Sequence, residues 1–239
     1  MTPGVRYARA LLCGLLLLCS FSPSYADGKP SLYVYVHTDA KSASLEKGLQ
    51  DKLPALEVTV FGRFRDFEEA MGARKPDAVV AIAPLVASLN APVALQGTRG
   101  EHDWESYVLL SQGNPLEGSL SGKVIGVVDL LGRDATQDFV TKLLKTPDVK
   151  LKRVTKMEDL LPLLQFSAAD GVLVPAAAVK SVTERSRLPL KVRELPEAKV
   201  GLLAVGVLNA KVRDLIIKQF QSLDGGTNQQ LGIEKWRPR

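Results

Sequence analysis

Residues equipped for covalent or metal chemistry are scarce in this chain. Its two histidines, His37 and His102, stand far apart, and its cysteines, Cys13 and Cys19, both fall within the first twenty residues. There is no Gly-x-Ser-x-Gly, no His-Glu-x-x-His and no phosphate loop ending in Gly-Lys-Ser/Thr. A thiolate or histidine-rich metal site is thereby excluded, and a catalytic triad lacks partners. Paired carboxylates such as Glu68-Glu69 and Glu158-Asp159 fall on predicted exposed helix faces, where they read as solvated charge. No enzyme and no cofactor is expected. Binding chemistry remains, and it concentrates at Ser121–Leu144. There an apolar run (Val124, Ile125, Val127, Val128) leads through Gly132, Arg133, Asp134 and Thr136 into residues at helical spacing, Phe139, Val140, Leu143 and Leu144. A turn of this kind at the carboxyl end of a buried strand, opening a helix, is suited to an anion. Arg133 offers a bidentate clamp. Asp134 or Thr136 offers a helix cap.

The elements that must position such a turn follow from periodicity. Ser31–His37 and Leu56–Phe61 read as strands, and Ala78–Ala83 as a third, buried one. Helices lie between them, one from about Ser42 to Lys52 and one over Phe64–Ala73 with Phe64, Phe67, Ala70 and Met71 on one side; Pro84 opens a short third helix. Such β-α-β-α-β alternation predicts a parallel sheet. The alternation then lapses. Pro92–Gln96 and Trp104–Ser111 are strand-like, joined by the polar segment Gly97–Asp103 without a helix. It resumes with strands at Val124, Val149–Val154 and Asp170–Val174, and helices at Met157–Phe166 and Ala176–Arg185. Pro162 fits the first of those helices only near its start. Leu190–Leu195 is a further strand, Pro196–Lys199 a second crossing, and Val200–Leu208 a central strand. Asn209 caps a helix over Ala210–Leu223, Asp224-Gly225-Gly226 stops it, and a tail follows in which Trp236 packs back.

Of the 239 residues, the first 26 carry two arginines, an apolar run (Ala10–Phe21) and a Ser24-Tyr25-Ala26 cleavage pattern. This predicts a secretory signal cut after Ala26. Leucine directly before each cysteine disfavours a lipoprotein signal, and an uncleaved anchor is the weaker alternative. Cleavage would leave a cysteine-free chain with 29 basic and 26 acidic residues, a net charge of +3. Its basic residues are scattered with few aromatics among them, so nucleic acid is not an expected partner.

Several phrases in this order resemble the type II periplasmic substrate-binding proteins, in particular the phosphate/phosphonate group of ABC transporters. Trp104–Leu110 (WESYVLL) is similar to their crossing strand, and Leu120–Val127 (LSGKVIGV) to the first strand of their second lobe. Asp170-Gly171-Val172 and the ending Leu231–Pro238 (LGIEKWRP) are similar to later landmarks of that group. The resemblance implies an α/β fold of two lobes, two mainly parallel sheets with a cleft between them. It implies that residues 27–97 plus 200–239 form lobe one and 98–199 lobe two, with crossings near 97–107 and 195–200. It also implies periplasmic localisation, a soluble monomer, and capture of a small, phosphate-like anion by hinge closure for a membrane permease. Ligand contacts would come from His37 and Thr38 in lobe one, Tyr107 in the crossing, and Arg133 and Thr136 in lobe two. Each has an ordinary alternative: His37 a solvated loop residue, Tyr107 a core aromatic, Arg133 a solvated partner of Asp134, and Thr136 a helix cap. Ala83-Pro84-Leu85 offers no side-chain donor, and the Gly132 turn has Thr136 as its one hydroxyl. These features favour the alternative function, an envelope sensory or interaction module that keeps the fold without transport.

Overall fold

The computed structural model describes residues 28–37 and 41–239. The proposed signal segment, its cut after Ala26, and Thr38 lie outside the described residues. Among the described residues, no helix is long and apolar enough to cross a membrane.

Two mixed sheets build the molecule. The first begins with β1 (Ser31–Tyr35), α1 (Ser42–Lys52), β2 (Glu57–Phe61), α2 (Phe64–Ala73), β3 (Ala78–Ile82), α3 (Ala83–Ser88) and β4 (Val93–Thr98). β1 pairs in parallel with both β2 and β3, as the alternation predicts. The second sheet contains β5 (Trp104–Gln112), β6 (Val124–Val128), α4 (Arg133–Leu144), β7 (Lys150–Val154), α5 (Leu160–Gln165), β8 (Gly171–Pro175), α6 (Val179–Arg185) and β9 (Leu190–Gly201). The chain then returns to the first sheet with β10 (Leu203–Val207), α7 (Arg213–Gln221), α8 (Gly225–Gln230) and β11 (Lys235–Pro238). The strand orders are β11-β4-β10-β3-β1-β2 and β7-β6-β8-β5-β9. Each sheet has a parallel half where helices cross over and an antiparallel half where strands return directly.

Composition explains the layering. β3 and β10 (AVVAI, LAVGV) lie inside the first sheet and are apolar at every position, because helices cover both faces. One face holds Leu32, Val34, Leu45, Leu49, Ile216 and Phe220. Trp236 meets Phe220 edge-on at 5.2 Å, as the tail reading expects. The other face holds Tyr35, Phe67, Val79 and Ala204. Each of the larger aliphatic and phenylalanine side chains among them, fully buried, contributes about 1.5–3 kcal/mol. At the rim Asp77 joins three strands, accepting from the Ser31 N–H at 2.8 Å and from the Asn209 amide at 2.7 Å. Burial pushes its carboxyl up, but these hydrogen bonds outweigh it and hold the group below its ordinary range.

Some elements depart from their sequence expectations. β9 is one strand through Pro196, not a strand ended by a crossing. It lies at the sheet edge, where proline costs no ladder bond, and its register shifts opposite Tyr107. Helix α4 starts at Arg133, so Asp134 lies inside its first turn; the N-cap is Gly132 at φ 85, ψ 172, and no side chain caps it. Helix α8 was not expected, because two glycines open it. Asp224 makes it possible by accepting from the Thr227 N–H at 2.8 Å; the Lys52 ammonium, and then this cap, hold its carboxyl down at about 2. Asp224→Ala is expected to cost about 1 kcal/mol in denaturant unfolding and to speed amide exchange in residues 225–230. An unchanged exchange rate there would show that packing alone holds α8.

Candidate functional site

Three of the four described site candidates lie near the junction of the two lobes. His37 follows β1, and its ring meets the Tyr35 ring edge-on at 4.9 Å. The Tyr35 hydroxyl reaches across the junction and donates to the Asp129 carbonyl oxygen at 3.0 Å. Its single proton is thus engaged, so it accepts from His37 Nε2–H at 2.5 Å, which assigns the neutral imidazole its tautomer. Burial lowers the His37 pKa to about 4, against the pull of the Asp129 charge, and pushes the Tyr35 phenol up. Thr136 is fully buried. It donates to Asp129 Oδ1 at 2.7 Å and accepts from the Leu131 N–H at 3.0 Å, which fixes the turn. Arg133 opens α4 with an exposed side chain; its carbonyl accepts from Arg153. Tyr107 belongs elsewhere. It is 7% exposed, packs with Leu109, Ile125 and Leu173 in the core of the second lobe, and burial pushes its phenol up.

The junction is also filled by apolar groups. Phe64, at the start of α2, lays its ring against Gly132; a Cβ on that glycine would stand 2.5 Å from a ring carbon. Leu131 and Ile82 each pack against cores of both lobes. Beside this seam a cleft of about 410 Å³ opens, lined by Arg63, Phe64, Arg65, Asp66 and Glu69 from the first lobe and Asp129 and Thr155 from the second. Arg63, Asp129 and Thr155 lie just beyond the carboxyl ends of β2, β6 and β7, where open α/β sheets bind ligands, and Arg65, Asp66 and Glu69 follow on α2. Arg65 is engaged with Glu69 at 2.8 Å in an exposed pair of small energetic weight. A second hollow of about 480 Å³, lined by Gln112, Val124, Ser167 and Asp170, lies at the amino ends of β6 and β8 and draws on one lobe only. Among the described residues, no group of His, Asp and Glu is placed to hold a metal ion.

Arg63, Phe64, Asp129 and Thr155 escaped the sequence reading. Asp129 had a readable signal, because a carboxylate directly after the apolar run of β6 stands where that run must end. Phe64 and Tyr35 carried none beyond an apolar face, since what they touch is fixed by the meeting of two lobes.

The two sheets, two direct crossings and junctional cleft are the two-lobed α/β fold of type II periplasmic substrate-binding proteins. The chain is similar to the substrate-binding protein of an amino acid ABC transporter, at 17% identity over 84% of this chain and 96% of that one, with a TM-score of 0.57. It is similar to a Xanthomonas citri protein bound to ATP, at 11% identity, 88% and 91% coverage and a TM-score of 0.63. It is also similar to the periplasmic VFT2 domain of BvgS from Bordetella pertussis, at 14% identity, 85% and 92% coverage and a TM-score of 0.55. No protein-family model matches the chain, and no curated protein matches it in sequence.

Proposed function

We propose that the chain is a periplasmic solute-binding protein whose lobes close over a small solute and present the closed form to a membrane partner. The observation that carries this reading is the junctional cleft, bordered by polar groups of both lobes at strand carboxyl ends. Its charges also narrow the solute. Arg63 shares the cleft lining with Asp66 and Asp129, while Arg65 is engaged with Glu69. Opposite charges around one opening match a zwitterion, such as an amino acid, better than the phosphate-like dianion that the sequence resemblance implies. The amino acid transporter protein among the similar structures supports the same choice. Calorimetry with an amino acid panel and with phosphate, phosphonates, phosphite and sulfate tests it. An amino acid is expected to give saturable heat, and Arg63→Ala to weaken it by about 1–3 kcal/mol. If only the oxyanions bind, and Arg133→Ala weakens them, the ligand class is the phosphate-like one. Silence from both panels would sink the solute-binding reading.

The filled seam favours a second reading, an envelope sensory or interaction module that no longer transports. Tyr35, Phe64 and Leu131 join the lobes by direct contact. Such a module is expected to scatter X-rays as a closed particle whatever solute is added. It is also expected to recover a sensor or scaffold, with no permease, from envelope extracts.

A further inference from the structure

The second sheet ends in two edges of opposite character. Edge strand β9 carries Pro196, which has no N–H to offer, and a register shift. Edge strand β7 has neither, and pairs residue for residue with β6 from Lys150 to Val154. The Lys150 N–H and the Val154 carbonyl bond inward, to Lys123 and Asp129. By the alternation of a parallel ladder, Leu151 and Arg153 therefore turn their N–H and carbonyl groups to the open side. Cations flank this edge on both faces. Lys150 and Lys152 are exposed on the α5 side, with Val154. Arg153 lies on the α4 side with Leu151, where its guanidinium bonds the Arg133 carbonyl at 3.1 Å, and Lys142 is exposed on α4 itself. Among the described residues, Lys142, Lys150, Lys152 and Arg153 have no carboxylate at ion-pair distance, whereas neighbouring Lys145 and Lys156 pair with Glu197 and Glu158. From 142 to 156 the chain carries six basic residues and one acid.

We infer that the β7 edge is a docking site for an acidic, extended segment of a partner protein, which adds to the sheet as a further strand. Its backbone would take the free groups of Leu151 and Arg153. Its alternating side chains would meet Lys150 and Lys152 on one face and Arg153 on the other. The same lysines exclude the competing occupant, a second copy, because two β7 edges would bring like charges together.

The probe is a synthetic, β-prone peptide rich in glutamate, offered to the purified protein beside its lysine counterpart and phosphatidylglycerol vesicles. The glutamate peptide is expected to bind and to slow amide exchange at Leu151 and Arg153. The double change Lys150→Gln and Lys152→Gln should weaken binding about tenfold with unchanged unfolding curves, and high salt should do likewise. Lys180→Gln, on α6, should leave binding as it was. No binding of the glutamate peptide, or equal binding of the lysine peptide, would overturn the inference. So would vesicle binding that leaves the Leu151 and Arg153 amides unprotected, since the ridge would then serve lipid.

Discussion

Gly132→Ala is expected to destabilise the protein by about 2–4 kcal/mol and to push its lobes apart. Two costs combine at this position. The backbone lies at φ 85, ψ 172, a region open essentially to glycine alone, and any other residue there costs about 1–3 kcal/mol. The new methyl group would also meet the Phe64 ring at 2.5 Å, well inside contact distance. The ring cannot retreat freely, because it is held in an aromatic group with Tyr35 at 5.8 Å and Phe67 at 6.2 Å. The two costs separate in a double-mutant cycle. In a Phe64→Ala background the backbone cost should remain and the contact cost vanish, so Gly132→Ala should then cost only about 1–3 kcal/mol. Small-angle scattering gives an independent reading, a larger radius of gyration for Gly132→Ala alone. If the substitution costs the same in both backgrounds and leaves the radius unchanged, Gly132 serves the turn and not the seam.

The second large effect is acid sensitivity through His37. Its folded pKa of about 4 lies below the ordinary value of 6.5, because a charged imidazole is poorly solvated in the seam. The unfolded chain therefore binds the extra proton first. Stability from the neutral ring is fully present above about pH 6.5, declines as the pH falls, and is exhausted near pH 4. A shift of that size corresponds to roughly 2–3 kcal/mol once residual hydration of a half-buried ring is allowed for. Carboxylates add their own acid loss, so the comparison is with His37→Gln, which stays neutral and retains a donor for Tyr35. The difference in unfolding free energy between the two proteins should shrink by about that amount between pH 7 and pH 4. A constant difference across that window would show that the imidazole is solvated.

How much of this was readable beforehand depends on the range over which each feature is determined. AVVAI of β3 and VIGVV of β6 announced themselves, because a strand covered on both faces has a composition of its own. Helix α2 was legible to its ends from the recurrence of Phe64, Phe67 and Met71. Pro162 likewise sits in the first turn of α5, where proline is tolerated. Pro196 misled, since a proline stops a strand only if both edges are paired, and edge status is a property of the assembled sheet. The candidate site was legible in part for the same reason. Gly132 takes the turn its type suggested, whereas Thr136 does not cap α4 but fixes the turn through Leu131 and Asp129. The bond from Tyr35 to Asp129 spans 94 positions. Nothing in the residues around either end records that partner.

The order of strands in the first sheet has a consequence for the time course of folding. β3 and β4 do not pair with each other; β10 lies between them, and β11 closes the far side of β4. During synthesis the second sheet has all its strands once Gly201 has emerged. The first, begun with β1, must wait with an open gap until Val207 fills it and Pro238 seals its edge. Such distant pairings are slow to form, because a long loop must close before any contact rewards it. The lobe begun first is therefore the last to be completed, and a chain stopped before β10 would hold a finished lobe beside an unfinished one.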